Sequence, residues 1–345
     1  MAKLRLKFSC PFPAIRRSPS GHTSSAAIAF LAFWLTATSV QAQKLYVMYA
    51  SISATQAIGW VTKEANLFSK YGLDVELLFA GGGRAVTSLL GGDTALVTVG
   101  GPSAIAARLA GSDVIITAHI FDTILFSLMV APEIHQISDL KGKKLGASRF
   151  GSATDFALRY VLKKYGIDPV KDVVIFQIGG QSETLAALRA GSISGGVVAS
   201  PATADAKRLG FKELLNMATL GVPYPQTTIA TTGRFLKQNR DTVVRFTRAY
   251  VEGMHRFIND REFSLRVIAK YTKLSARPTL EATYDDYVPY VKKIPKPTPE
   301  SIKTVLEQLA VSDPKARSAK PESFFDPSVV DELEQKHFFS QIWSR

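Results

Sequence analysis

The chain reads as an α/β protein of two similar lobes, each a mostly parallel sheet flanked by helices. Three observations predict this. From Lys44 onward, short β-branched or apolar runs alternate with longer helix-like stretches, the pattern of βα units. A segment near residue 90 returns in similar form near residue 190. After Tyr224-Pro225 the character turns almost entirely helical, as though the chain returns to cover its first lobe.

The first 42 residues are a separate matter. Lys3, Arg5, Lys7, Arg16 and Arg17 stand without any acidic residue, an apolar run extends from Ala26 to Ala37, and Val40-Gln41-Ala42 precedes Gln43. These are the three parts of a secretory signal, with cleavage expected after Ala42. The run is shorter than the roughly 20 residues of a membrane-spanning helix, so an uncleaved anchor is the lesser alternative. Arg16-Arg17 raises a twin-arginine route, but Ser18-Pro19-Ser20 follows where an apolar pair belongs.

The one cysteine, Cys10, lies inside this signal, so the exported part has no disulfide and no thiolate nucleophile. Its stability must come from burial in a large core. The whole chain carries +13; without the signal, 37 Lys+Arg stand against 29 Asp+Glu, a net of +8. Export makes nucleic acid the poorest partner for this charge, and the basic residues are scattered rather than clustered. The exported part is expected to be soluble.

Strands are expected at Leu45–Ala50, Asp74–Ala80, Ala95–Gly100 and Val114–Ile120, with helices starting near Thr55, Arg84 and Pro102. A second set has strands at Lys144–Ser148, Val173–Ile178 and Gly196–Ser200. Its helices run near Ser152–Tyr165, Ser182–Ala190 and Pro201–Leu209. Leu90-Gly91-Gly92-Asp93 leading to Pro102-Ser103-Ala104 has its counterpart in Ala190-Gly191-Ser192 leading to Pro201-Ala202-Thr203. In both, a helix ends at glycine, a strand follows and proline opens the next helix. Gln226–Thr232 reads as one more strand, followed by helices at Thr242–Asn259, Phe263–Leu274, Pro299–Ala310 and Val329–Phe338. Residues 43–124 with 228–345 are expected to form the first lobe and 125–227 the second. Two crossovers, near Phe121–Ser127 and Gly221–Thr228, would make a hinge.

In open parallel sheets a ligand sits beyond the carboxyl ends of the strands, where helix N-termini present unpaired N–H groups. Here those loops are rich in glycine and hydroxyls. The first lobe offers Ser53 and Thr55, then Gly82 and Gly83, then Pro102 and Ser103; the second offers Ser152 and Thr154, Gln181, and Ser200. Each alone is an ordinary helix start; six converging from two lobes point to a site for an anion or polar head group. Arg84 and Arg149 are the basic residues at these strand ends, and a guanidinium grips a carboxylate or sulfonate bidentately. Arg149, directly off a strand and ahead of a Gly-Ser helix start, is the better candidate; Arg84 reads first as a solvated side chain. Aromatic residues including Trp60, Phe79, Phe121, Phe150 and Tyr224 are candidates for stacking on an aromatic solute or for core and hinge packing, with Tyr224 at the second crossover.

Enzyme signatures fail. The histidines at 22, 119, 135, 255 and 337 have no zinc spacing, no Gly-x-Ser-x-Gly elbow occurs, and Ser138-Asp139-Leu140-Lys141 lacks the motifs that accompany a Ser-x-x-Lys nucleophile. Gly81-Gly82-Gly83 opens a helix but position 86 is Val, a weak dinucleotide match. No catalytic residue, metal or cofactor is expected.

Glu64-Ala65-Asn66-Leu67-Phe68-Ser69-Lys70-Tyr71-Gly72-Leu73-Asp74-Val75-Glu76 and Ile137-Ser138-Asp139-Leu140-Lys141-Gly142-Lys143-Lys144-Leu145-Gly146 carry a fairly specific likeness. Leu90 to Ala95, Tyr165 to Asp168 and Ala187 to Gly191 add to it. From Lys44 to about Leu274 the chain resembles the solute-binding proteins of bacterial ABC importers, in the nitrate/sulfonate/taurine group that shares its fold with thiamine-pyrimidine precursor proteins. Ser194-Gly195 departs from the acidic residue and Ala usual in that family, at a strand entry. The cysteine-rich segment of the pyrimidine-synthesising relatives is absent. The resemblance implies a type II periplasmic binding protein fold and a receptor that closes on a small solute and presents it to a permease and its ATPase at the inner membrane. A pyrimidine-precursor enzyme and a sensor feeding a membrane kinase are the alternative readings.

Overall fold

A computed structural model of the chain describes residues 44–311 and 313–344. The signal segment and its cleavage point therefore lie outside the described residues. Among the described residues there are ten strands: β1 (Leu45–Tyr49), β2 (Val75–Phe79), β3 (Leu96–Val99), β4 (Val114–Thr123), β5 (Ser127–Val130), β6 (Lys144–Ala147), β7 (Val174–Gln177), β8 (Gly195–Val198), β9 (Lys212–Asn216) and β10 (Pro223–Thr232). They form two five-stranded sheets, in the orders β2-β1-β3-β10-β4 and β7-β6-β8-β5-β9.

The two orders are one topology used twice. β1 lies parallel to β2 and β3, and β6 lies parallel to β7 and β8. In each sheet the fourth strand runs antiparallel to both its neighbours, which turns the fifth strand back into the common direction. Four strands of each sheet thus point one way, as expected, and both antiparallel strands lie beside a crossover. The chain passes from the first sheet to the second over residues 124–126 and returns over 217–222. The two connections lie side by side, Met217 N donating to Phe126 O at 2.9 Å.

Two strands were not foreseen. Ser127–Val130 belongs to a short apolar run whose four residues are all buried, and only its pairing with β8 and β9 makes it a strand. Lys212–Asn216 is polar at both ends and reads locally as surface; its ladder with β5 defines it. Neither has the alternation that marks a half-buried strand in sequence.

The expected helices form, and their apolar spacing explains their burial. In Arg240–Asn259 the residues Val243, Phe246, Tyr250, Met254 and Phe257 recur every three or four positions and belong to the first core, where this helix packs on Ala57–Glu64. Phe68 stacks on Phe246 at 5.1 Å. Leu265 and Ile268 of the Arg261–Thr272 helix, and Val329, Val330 and Leu333 of Ser328–Gln335, complete that core. The helix Pro299–Leu309 is the exception to a return to the first lobe alone. Ile302, Val305 and Leu306 share a cluster with Val97 of the first sheet, with Leu128 of the second sheet and with Phe156 of the second-lobe helix Ala153–Lys164, and Gln308 Nε2 donates to Phe156 O at 2.9 Å. One apolar core is therefore continuous across both lobes. None of the described helices is long and apolar enough to cross a membrane.

Candidate functional site

The carboxyl ends of the parallel strands face one another across a seam, and the sequence-derived loops meet there. Each sheet sets a hydroxyl cluster beyond its second strand in spatial order. After β1, Ser53 Oγ lies 2.9 Å from Ser51 Oγ and 2.7 Å from Thr55 Oγ1. After β6, Ser148 Oγ lies 2.9 Å from Ser152 Oγ and 2.8 Å from Thr154 Oγ1. Ser152 caps the helix Ala153–Lys164, and Asp155 Oδ2 accepts from Gly151 N at 2.9 Å, which folds the loop back over the helix start. The two clusters are alike because the two topologies are alike. Ser148 and Ser51 complete them, and neither stood out as a candidate.

The remaining candidates divide into two groups. Ser53, Thr55, Pro102, Thr154 and Ser200 are buried, while Ser103, Ser152 and Gln181 are partly exposed. Ser103 Oγ faces Gly82 at 3.1 Å from the position a Cβ would take, whereas Gly83 is open. Gln181 Oε1 accepts from Ala199 N at 2.9 Å, so its side chain braces the β8 loop. Tyr224 is 0% exposed, stacks on Phe156 at 4.8 Å and donates to Ala153 O at 3.4 Å, a packing position between crossover and second lobe. Burial pushes its phenol well up. Of the other aromatics, Trp60 is buried and stacked on Tyr271 at 4.8 Å, and Phe121 is buried against Tyr287 at 6.1 Å. Phe79 and Phe150 are 53% and 54% exposed.

Three of the contacts between the lobes mark the seam. Gly100, beyond β3, meets Ala153; Ala54 N donates to Ser200 O at 3.2 Å; and Arg149 Nε stands 3.9 Å from where a side chain would leave Gly81. Arg149 and Arg84 are both exposed, and among the described residues neither guanidinium has a carboxylate within ion-pair distance. Arg149 therefore reaches the facing lobe with its charge uncompensated; Arg84 has no such contact across the seam.

Sequence reasoning missed a first-lobe segment that closes on Ser200. Asp286 and Tyr287 follow the helix Arg277–Asp285. Ser200 Oγ donates to Asp286 Oδ2, and Thr203 Oγ1 is 2.7 Å from Ser200 Oγ. Partial burial raises the Asp286 carboxyl above its ordinary value, against the lowering effect of the Ser200 hydroxyl. Burial pushes the Tyr287 phenol up more strongly. No local sequence signal marks Asp286, because only the tertiary fold brings it to a loop 86 residues away.

Two cavities bear on where a ligand enters. The larger, about 640 Å³, is lined by Arg108, Asp113, Lys237, Arg240 and Phe325. It opens at the start of β4 and the end of β10, at the opposite end of the first sheet's strands from the candidate loops. The smaller, about 180 Å³, abuts Ser200 and Thr203 and is walled by both crossovers, through Leu125 to Ser127 and through Asn216 and Ala218. Its position, not its size, ties it to the seam. Among the described residues no group of three or more His, Cys, Asp or Glu is placed to hold a metal ion.

Two mixed sheets joined by paired crossovers, with helix starts facing across a seam, define a two-lobed periplasmic binding protein fold. Residues 55–262 match the model of the NMT1/THI5-like family, and the chain belongs to that family. The structure is similar to the alkanesulfonate-binding protein SsuA of Xanthomonas axonopodis pv. citri bound to MOPS, with a TM-score of 0.68 at 18% identity over 81% of this chain and 95% of that one. It is also similar to the nitrate-binding protein NrtA of Synechocystis PCC 6803, with a TM-score of 0.70 at 13% identity, 86% and 89% covered. The aliphatic sulphonate-binding protein SsuA of Escherichia coli matches with a TM-score of 0.66 at 17% identity, 83% and 98% covered. At these identities the likeness is one of fold. No curated protein sequence matches the chain.

Proposed function

We propose that this protein is an extracytoplasmic receptor that captures a small anionic or polar organic solute between its lobes and delivers it to an ABC permease. The observation that carries the reading is Arg149, an unpaired guanidinium that comes off a second-sheet strand and reaches Gly81 of the first. A solute that touches both lobes stabilises the closed form by its differential affinity, so capture needs no covalent chemistry. The family and the solute-binding proteins it resembles in fold support this reading, and a sulfonate, nitrate, carboxylate or pyrimidine-like solute accords with helix starts and a guanidinium. The periplasm is where such a receptor would work, as a monomer and with no nucleic acid partner.

The test is a thermal-shift screen of the purified protein with sulfonates, carboxylates, nitrate and pyrimidines, repeated with Arg149→Ala. A saturable one-to-one rise in melting temperature that the variant loses is expected. No shift with any of these classes would overturn the reading.

A further inference from the structure

The cavity beside Ser200 has a charge balance that the anion-directed loops do not share. Three carboxylates stand in or next to it. Asp285 pairs with Arg261 at 3.1 Å, and Glu213 pairs with Lys207 at 2.6 Å while accepting from Ser127 Oγ at 2.6 Å. Asp286, exposed at the cavity wall, has no cation within ion-pair distance among the described residues and takes only the Ser200 hydroxyl. Two charges are ion-paired inside the protein, whereas the third feels a cation only at longer range, from the Lys207 already paired with Glu213.

The other polar lining supplies oxygens more than N–H donors: the hydroxyls of Ser127, Ser200, Thr203 and Tyr290 and the amide of Asn216. Phe126 and Tyr287 add aromatic surface, which favours a cation over an anion. At about 180 Å³ the space is smaller than the roughly 300 Å³ at which pockets for whole ligands begin, so it suits one end of a molecule. A metal ion is poorly served by one free carboxylate and hydroxyls, whereas a protonated amine has several N–H donors to share among these acceptors.

We infer that the Asp286 cavity is a head-group subsite for an organic ammonium, seating one end of the captured solute between the crossovers while its remainder lies toward the helix starts. The inference rests on the receptor reading and narrows its substrate class. Because Ser200 is held by both Ala54 N and Asp286, an ammonium seated there bears on a contact between the lobes.

Isothermal titration of the purified protein at neutral pH tests it, with ethanolammonium and 1,3-diaminopropane chlorides as cationic probes and sodium acetate and methanesulfonate as anionic ones. Saturable binding of a cationic probe is expected, weakened about tenfold or more by Asp286→Asn, which keeps an acceptor for Ser200 and removes the charge. Anion binding and melting temperature should be unchanged in that variant. Cationic binding that Asp286→Asn leaves intact overturns the subsite, and so does anion binding without any cationic binding, the receptor reading then standing. No binding of either class overturns both. If Asp286→Asn does not fold, the unaltered protein decides with a neutral isostere: ethylene glycol in place of ethanolammonium should bind about tenfold more weakly or worse, and equal binding overturns the inference.

Discussion

Gly100 of the first lobe and Ala153 of the second meet so closely that a Cβ on Gly100 would lie 2.7 Å from the Ala153 Cβ. Neither group can rotate away, since one is a methyl and the other would be. The contact requires glycine for proximity rather than for backbone freedom, and it lies where a strand end of one sheet faces a helix start of the other.

Gly100→Ala is therefore expected to hold the lobes apart. Overpacking of this kind costs roughly 1–3 kcal/mol, enough to weaken solute binding by about fivefold to a hundredfold. Small-angle scattering should report a larger radius of gyration, and Gly100→Ala with Ala153→Gly should restore the compact form. An unchanged radius in the single variant would show that the contact yields.

A second close approach lies inside the first core. A Cβ on Gly253 of the Arg240–Asn259 helix would fall 1.9 Å from Thr62 Oγ1 of the Ala57–Glu64 helix. Gly253→Ala should destabilise the fold by about 1–3 kcal/mol in a urea titration, and Thr62→Ala should recover part of the loss by giving back the space. Additive losses in the double variant would refute the contact.

Tyr224 separates packing from ligand contact. Its ring stacks on Phe156 and its hydroxyl makes a long bond to Ala153 O. Tyr224→Phe should cost less than about 1 kcal/mol and leave solute affinity unchanged. Tyr224→Ala should cost about 3–5 kcal/mol by opening a cavity between crossover and second lobe. A loss of affinity in the Phe variant at unchanged stability would make the hydroxyl a ligand contact.

His119 gives stability a pH dependence. It is fully buried on β4, with Nδ1 3.3 Å from Ser301 Oγ and 3.5 Å from Asp122 Oδ1, and Asp122 is in turn paired with Lys292 at 3.0 Å. Burial holds its imidazole below the ordinary value, with the Lys292 charge adding to the effect and Asp122 opposing it. The unfolded chain therefore takes up the proton first, so this contribution is present above about pH 6.5 and is lost as pH falls below it. Urea midpoints at about pH 7.5 and 5.5 should differ, and His119→Gln should narrow the difference. An equal drop in the variant would assign the loss to other groups.

Much of the architecture was legible locally. Strands with β-branched runs, such as the one expected at Val114–Ile120 and found at Val114–Thr123, and helices with three-to-four spacing, such as the one expected at Thr242–Asn259 and found at Arg240–Asn259, declare themselves because their burial pattern is written along the chain. Gly and Pro at helix ends marked both halves of the repeated topology. β5 and β9 were not legible, since four buried residues and a polar-ended pentapeptide become strands only through each other.

What the sequence by itself determined is a two-lobed α/β chain with hydroxyl- and glycine-rich helix starts and Arg149 at a strand end, because periodicity and capping act over a few residues. The tertiary structure alone decided that Gly100 meets Ala153, that Pro299–Leu309 ties both lobes into one core, and that Asp286 reaches Ser200. Such contacts join residues tens of positions apart, and their chemistry depends on distances and burial that no local pattern encodes.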